Sequence, residues 1–277
     1  MSPIIETAPA KINLALHVRH RRADGYHELE TLFAFAEDGD RIEVAVAEAS
    51  AFTITGPFAA ELEAGGDNLV TRAAAAFCEH FGIAADHAIT LHKVLPIASG
   101  IGGGSADAAA TLRALARLHG IAPDHADLFG IAAGLGADVP ACLLGRTTLG
   151  RGKGDALEVI AGMPGRSLLL VNPGVAVSTA AVFARWDGVD RGGIVEGDLL
   201  ARAVAGRNDL EVPARALAPA IDAVLALLAG APATLLSRMS GSGATCFALF
   251  DDAAACHDAA TAATARGWWT LGTRLGA

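Results

Sequence analysis

Three adjacent glycines, Gly102, Gly103 and Gly104, stand between Pro96-Ile97-Ala98-Ser99-Gly100-Ile101 and Ser105-Ala106-Asp107-Ala108-Ala109-Ala110. The chemistry this spacing suits is phosphate binding. Glycine has no Cβ, so its backbone takes positive φ and lets a ligand approach main-chain N–H groups. The stretch that follows predicts a helix over 106–119, with Ala108, Leu112, Leu115 and Leu118 on one buried stripe. Its unsatisfied N–H groups and positive dipole end would point back at the glycines, an arrangement suited to a phosphate. Ser105 is the expected N-cap, and Gly120 with Pro123 stops the helix. A Walker A loop requires a lysine after its glycines, and none follows here. The dinucleotide fingerprint, counted from Gly100, requires a third glycine where Ser105 stands. The loop belongs to neither class.

Composition limits what this loop can serve. The 277 residues carry 21 Lys plus Arg against 30 Asp plus Glu, for a net charge of −9. That balance argues against nucleic-acid or anionic-membrane partners, so an anionic ligand must meet a local basic pocket. Only three of the cations are lysines, Lys11, Lys93 and Lys153, and each lies in or beside a motif. An ammonium is a compact point charge, chemically distinct from guanidinium. Cys78, Cys142, Cys246 and Cys256 are far apart with no CxxC pair, as expected of free thiols in a reducing compartment. The first residues lack a basic stretch and an apolar core, so no signal peptide and a cytoplasmic location are expected. The most apolar stretch, 223–236, is broken by Gly230 and Pro232 and is too short to span a bilayer.

The elements that must position these residues alternate irregularly. Strands are expected at 10–18, 31–35, 41–46, 52–54 and 88–95, with the acidic run Glu37-Asp38-Gly39-Asp40 separating the second from the third. Helices are expected at 69–81 and 125–135 on either side of the glycine loop and its helix. Residues 146–154 form a basic, glycine-punctuated stretch. Beyond it come strand 167–171, helices near 179–184, 195–205 and 213–228, strand 245–250, helix 253–266 and strand 268–274. Strands and helices without regular βα alternation argue for the α+β class.

Four segments in this order carry a family resemblance: Pro9-Ala10-Lys11-Ile12-Asn13-Leu14, Asp24-Gly25-Tyr26-His27-Glu28-Leu29, the glycine loop, and Gly136-Ala137-Asp138-Val139-Pro140. With Ser240-Gly241-Ser242-Gly243-Ala244 near the C-terminus they resemble the GHMP small-molecule kinases over essentially the whole chain. Asn172-Pro173-Gly174 and Asn208-Asp209-Leu210-Glu211 agree. The resemblance implies a two-domain fold, a ribosomal-protein-S5-like ATP domain over 1–160 and a ferredoxin-like domain over 161–277 that completes the substrate cleft. It implies ATP with magnesium as the donor and a small cytidine diphosphate compound as the acceptor. The enzyme would be a monomer or a homodimer.

The same resemblance implies roles residue by residue. Asp138 would be the general base and Lys11 its catalytic partner. A carboxylate can accept a hydroxyl proton, and an ammonium stabilises charge on the transferred group. Pro96, Ser99, Gly100, Ile101, Gly102, Gly103, Gly104, Ser105 and Ala106 would hold the ATP phosphates, with the Ser105 hydroxyl on a phosphate or on magnesium. Asn13 would bind the polyol part of the acceptor. Tyr26, the sole tyrosine, would face Phe183 across the cytosine ring, with His27 at the polar rim and Thr179 beside Phe183. Gly241, Ser242 and Gly243 would line the cleft, or else form a plain hairpin turn. Lys93 stands as a nucleotide contact or a strand-end surface lysine, and Lys153 as a diphosphate contact or a surface residue. Asp107 is expected to complement the helix dipole. Ile101 and Ala106 depart from the Leu and Ser common in the family. The second change removes a hydroxyl. The alternatives are a GHMP kinase for homoserine, mevalonate or a sugar, or a non-catalytic binding relative.

Overall fold

The computed structural model describes residues 2–62 and 68–277. In chain order the elements begin with strands β1 (Ile4–Arg21), β2 (His27–Ala47) and β3 (Ala51–Thr55), then α1 (Leu69–Phe81) and β4 (Asp86–His92). Helices α2 (Gly103–Leu118), α3 (Ala126–Leu135) and α4 (Val139–Leu144) follow, then β5 (Thr148–Gly152), β6 (Ala156–Val159) and β7 (Ser167–Asn172). Next come α5 (Thr179–Phe183), α6 (Leu199–Ala205), α7 (Glu211–Leu217) and α8 (Ala220–Gly230). Strands β8 (Thr234–Met239) and β9 (Cys246–Phe250), helix α9 (Ala253–Thr264) and strand β10 (Trp269–Arg274) close the chain.

These elements divide into two compact units interleaved along the chain. The first comprises Met1–Ala10, Asp38–Ile97 and Gly102–Gly145, and the second Lys11–Glu37, Ala98–Ile101 and Arg146–Ala277. Residue 160 lies inside the second, and the glycine loop is divided between Ile101 and Gly102.

In the first unit the end of β2, Arg41–Ala47, pairs antiparallel with β4, and β3 adds in parallel on the other edge of β4. Helices α1, α2, α3 and α4 pack on one another. Asn68 caps α1 by accepting from the Val70 N–H, and Gly82 ends it at φ 63°. The stripe Val70, Ala73 and Phe77 is buried. Helix α2 is buried almost all round, from Ala106 through Ala116 except at Arg113. Its small side chains allow that, since Ala carries high helix propensity without bulk.

In the second unit β7, β8, β9 and β10 form an antiparallel sheet in the order β10-β7-β9-β8. With α8 after β7 and α9 after β9 the succession is βαββαβ, the ferredoxin-like arrangement. Its core gathers Leu169, Val171, Ile221, Val224, Ala248 and Phe250, with Leu16 and Val18 of β1. The first part of β2 pairs with β5, and β5 with β6.

Several expectations are corrected. Residues 31–35 and 41–46 belong to one continuous strand, β2, and the acidic run between them is no turn. Asp40 is fully buried there, and a Cβ at Gly39 would fall 2.0 Å from the Ala8 carbonyl oxygen. The glycine allows a close strand crossing that charge patterning made resemble a loop. The helix expected over 213–228 is two, α7 and α8, separated at Ala218-Pro219 because proline disfavours helical conformation in the residue before it. The basic stretch 146–154 contains β5, and β6, β8 and α4 were not anticipated. Ser105 is not the N-cap of α2. That position is Gly102, at φ 65°, and the helix begins at Gly103.

Candidate active site

The segment carrying Lys11 is built from β1 outward, within the second unit. Lys11 is 3% exposed. Its ammonium donates to Asn13 Oδ1 at 3.0 Å and lies 5.1 Å from the Phe33 ring centre. Asn13 Nδ2 donates to Thr31 Oγ1 at 2.7 Å, and Thr31 in turn donates to the Ala15 carbonyl at 2.8 Å. The side chain that would bind the acceptor is therefore itself held by a chain of hydrogen bonds. Arg238 braces the same strand by donating to the carbonyls of Leu14, Ala203 and Gly206.

The N-terminal part of the glycine loop is bonded to this strand. The Lys11 N–H donates to the Ile101 carbonyl at 2.9 Å. Ser240 is fully buried; its hydroxyl accepts from the Asn13 N–H at 3.2 Å and donates to the Gly100 carbonyl at 3.0 Å. The Thr245 N–H donates to the Ser99 carbonyl at 3.1 Å. The two glycine segments meet backbone to backbone. Gly100 sits at φ 78°, and a Cβ there would lie 2.5 Å from the Ser240 carbonyl oxygen. A Cβ at Gly241, at φ 54°, would lie 2.7 Å from the Gly100 carbonyl oxygen. The 240–244 segment is thus both the β8–β9 connection and a buttress of the N-terminal part of the glycine loop. Ser242 Oγ bonds Thr179 Oγ1 at 2.8 Å. Ser240 was missed as a positioning residue, although its place at the head of a Ser-Gly-Ser-Gly run was a usable signal.

In the first unit, α2 presents the amides of Gly103, Gly104 and Ser105 ahead of its first backbone hydrogen bond, from the Ala106 N–H to the Gly102 carbonyl. Such first-turn amides lie at the positive end of the helix dipole. Ala106 is corrected as a phosphate contact. Its N–H is used within the helix and its side chain is 1% exposed, so the hydroxyl absent there would point into the core. Ile101 and Pro96 are buried, Ile101 fully. Asp138 is partly exposed at the N-cap of α4, where its side chain makes no capping hydrogen bond, and Pro140 stands in the first turn.

Lys93 is no surface residue. It is 2% exposed, with its ammonium 2.5 Å from Asp40 Oδ2 and 2.7 Å from Asp107 Oδ2. Asp107 is likewise no exposed first-turn acid but 2% exposed. Burial pushes its carboxyl up to about 7, against the pull of Lys93 and with the push of Asp40. A carboxyl raised in the folded state adds stability that is complete below its unfolded range and is lost as pH rises through the folded value. The melting temperature is therefore expected to decline as pH rises from the ordinary carboxylate range to about 7 and to level off above it, and Asp107→Asn to flatten that decline. A pH series of melting curves reads this, and a wild-type curve with no such decline would exclude the assignment.

The aromatic contacts differ from expectation. His27, not Tyr26, lies on Phe183, with ring centres 4.8 Å apart and planes at 25°, and Trp186 meets His27 edge-on. Tyr26 is 56% exposed, with the Lys153 ammonium 4.9 Å from its ring centre and 3.8 Å from Asp155. Burial, then Arg21, lowers the His27 pKa, so the imidazole is neutral at neutral pH and carries one donor and one acceptor.

The donor set for a metal is sparse. Among the described residues no group of three or more His, Cys, Asp or Glu could hold an ion. Magnesium bound largely through nucleotide phosphates needs only one or two protein oxygens. The partly exposed Ser105 in the first turn of α2 is compatible with that. Among the described residues no helix is long and apolar enough to cross a membrane.

Comparison with known proteins adds to this geometry. The model for the GHMP kinases N terminal domain matches residues 68–146, and that for GHMP kinases C terminal matches 196–266. A 4-diphosphocytidyl-2-C-methyl-D-erythritol kinase of Rhizorhabdus wittichii is 57% identical, over 98% of this chain and 94% of its own. Its counterpart in Sphingopyxis alaskensis is 51% identical, over 98% of each. A crystal structure of 4-(cytidine 5'-diphospho)-2C-methyl-D-erythritol kinase superposes with a TM-score of 0.79 at 36% identity, covering 99% of each chain. A homoserine kinase from Cytophaga hutchinsonii superposes at 0.74 with 22% identity, over 100% of this chain and 96% of its own, and so shares the fold.

Proposed function

The chain belongs to the 4-diphosphocytidyl-2-C-methyl-D-erythritol kinases of the GHMP kinase family, and on that premise we propose how its residues divide the reaction. ATP donates its γ-phosphoryl group to the 2-hydroxyl of 4-diphosphocytidyl-2-C-methyl-D-erythritol, giving ADP and the 2-phosphate, a step toward isoprenoid precursors. The observation that carries this reading is 57% identity with such a kinase over nearly the whole chain.

Asp138 accepts the proton of the 2-hydroxyl as its oxygen bonds to the γ-phosphorus. The bond from that phosphorus to the bridging oxygen breaks, and ADP leaves with the electron pair. Transfer is direct, with no phosphoenzyme. Lys11, oriented by Asn13, stabilises charge on the transferred group. The amides of Gly103, Gly104 and Ser105 hold phosphate oxygens, supported by their place ahead of the first hydrogen bond of α2. The Ser105 hydroxyl and the phosphates would hold a magnesium ion, which when bound would supply charge neutralisation. The cytosine ring displaces the His27 ring from Phe183 and stacks between Phe183 and Tyr26, and the released imidazole reads its polar edge. Lys153 meets the diphosphate. We keep the division between the two family domains near residue 160, which is compatible with the matched stretches 68–146 and 196–266, while the compact units interleave along the chain. The enzyme is a cytoplasmic monomer or homodimer.

Phe183→Ala is expected to raise KM for the cytidylated acceptor about tenfold, the equivalent of one lost stacking face, while KM for ATP stays unchanged. Equal effects on both KM values would remove Phe183 from the acceptor site. The reaction itself is tested by kcat/KM with the cytidylated alcohol, homoserine and mevalonate in parallel. Turnover confined to the first is expected, and preference for either of the others would overturn the reading.

A further inference from the structure

The buried ion cluster of Asp40, Lys93 and Asp107 lies in the first unit, at residues the chemistry above does not use. We propose that Lys93 is a positioning residue for ATP: its ammonium ties the first turns of the glycine helix to the chain entering the phosphate loop. The inference rests on the reading of α2 as the ATP phosphate site.

Three segments meet at one cation. Asp40 of β2 accepts from the Val94 N–H at 2.6 Å and the Leu95 N–H at 2.9 Å through Oδ1, and binds Lys93 through Oδ2. That fixes the chain just after β4. Asp107 binds the same ammonium at 2.7 Å from the other end of the loop. Between them the ammonium faces the helix start, since a Cβ at Gly103 would lie 3.0 Å from Lys93 Nζ. A buried ammonium that donates to two buried carboxyl groups is held firmly in place, because charge-assisted hydrogen bonds away from water are strong and directional. The phosphate-binding amides begin four residues before Asp107, so a shift of this anchor moves them. With its ammonium committed to two carboxylates, Lys93 acts on ATP through the helix it holds.

The distinguishing variant is Asp107→Leu, which removes the helix side of the tie and leaves Lys93 with Asp40. If Lys93 instead bound nucleotide directly, freeing its ammonium would leave ATP binding unchanged or tighter. Under the proposal, Asp107→Leu raises KM for ATP about tenfold or more, with kcat and the acceptor KM changed less than about twofold. Asp107→Asn, which keeps an acceptor for the ammonium, restores KM for ATP to within about threefold of wild type. Should the leucine variant fail to fold, Asp107→Ala, which also lacks an acceptor and favours the helix, is judged by the same criteria. An unchanged KM for ATP, a parallel rise in both KM values, or no rescue by asparagine would overturn the proposal. Gly102→Val, which strains the φ 65° turn itself, separates the premise. If ATP binding survives that change, the site reading fails; if it is lost while Asp107→Leu binds ATP normally, only the role of Lys93 fails.

Discussion

Asp138→Asn is expected to lower kcat by about 10²–10⁴, the range a positioned general base contributes, while both KM values stay near wild type. The substitution keeps the size and shape of the side chain and removes its charge and its capacity to take the hydroxyl proton. Helix α4 should not suffer, because the Asp138 side chain makes no capping bond to it. Steady-state kinetics with a melting curve for each protein would check this. Near-normal kcat in a pure sample would remove Asp138 as the base. A loss of kcat accompanied by a large fall in melting temperature would assign it a structural role instead.

The second large effect is expected at Gly100→Ala. The added Cβ would lie 2.5 Å from the Ser240 carbonyl oxygen, 2.7 Å from that of Gly243 and 2.8 Å from the Gly243 nitrogen. All three are backbone atoms, so no flexible side chain can move aside. The φ of 78° adds conformational strain. Gly82→Ala is the matched comparison, with φ 63° and nothing within 4 Å of the added carbon. It should cost about 1–2 kcal/mol from the left-handed conformation. Gly100→Ala should exceed it by a further 1–3 kcal/mol or so, typical of overpacking, and should weaken ATP binding as Gly82→Ala does not. Denaturant titration of both variants reads the difference. Equal losses would mean that the two glycine segments are not packed as tightly as their geometry indicates.

The sequence made some of this legible and hid the rest for physical reasons. The glycine loop stood out because three adjacent glycines are costly in a chain with no ligand to serve. The αβ character and the strands of the ferredoxin-like half followed from apolar runs such as Leu168–Val171 and Phe247–Phe250, which are fully buried. The helix start was misplaced by three residues, since Ser105 has the chemistry of an N-cap but Gly102, at positive φ, takes that position. Local preference also misread Asp40 and Asp107. Acidic residues usually signal solvent, and their burial depends on Lys93, which lies 53 residues from one and 14 from the other. No local pattern reports such a pairing. Ser240 was hidden in the same way, because its partners Asn13 and Gly100 are 227 and 140 residues distant. His27 on Phe183 shows a further limit: both aromatics were picked out, but which ring covers which is a matter of tertiary packing.

Lys11 illustrates how the fold completes what the motif only suggests. Three lysines stood out by rarity, yet the structure gives them separate duties. Lys11 is directed by Asn13, Lys93 is committed to Asp40 and Asp107, and Lys153 lies over Tyr26. A count of cations would have treated them alike.

The account is tested most directly by phosphorus NMR of the purified protein incubated with ATP, magnesium and 4-diphosphocytidyl-2-C-methyl-D-erythritol. It predicts one new phosphomonoester resonance on the carbon-2 oxygen, growing in step with ADP, with the diphosphate resonances of the acceptor retained. ATP consumption without that resonance, or a phosphomonoester at another hydroxyl, would contradict it.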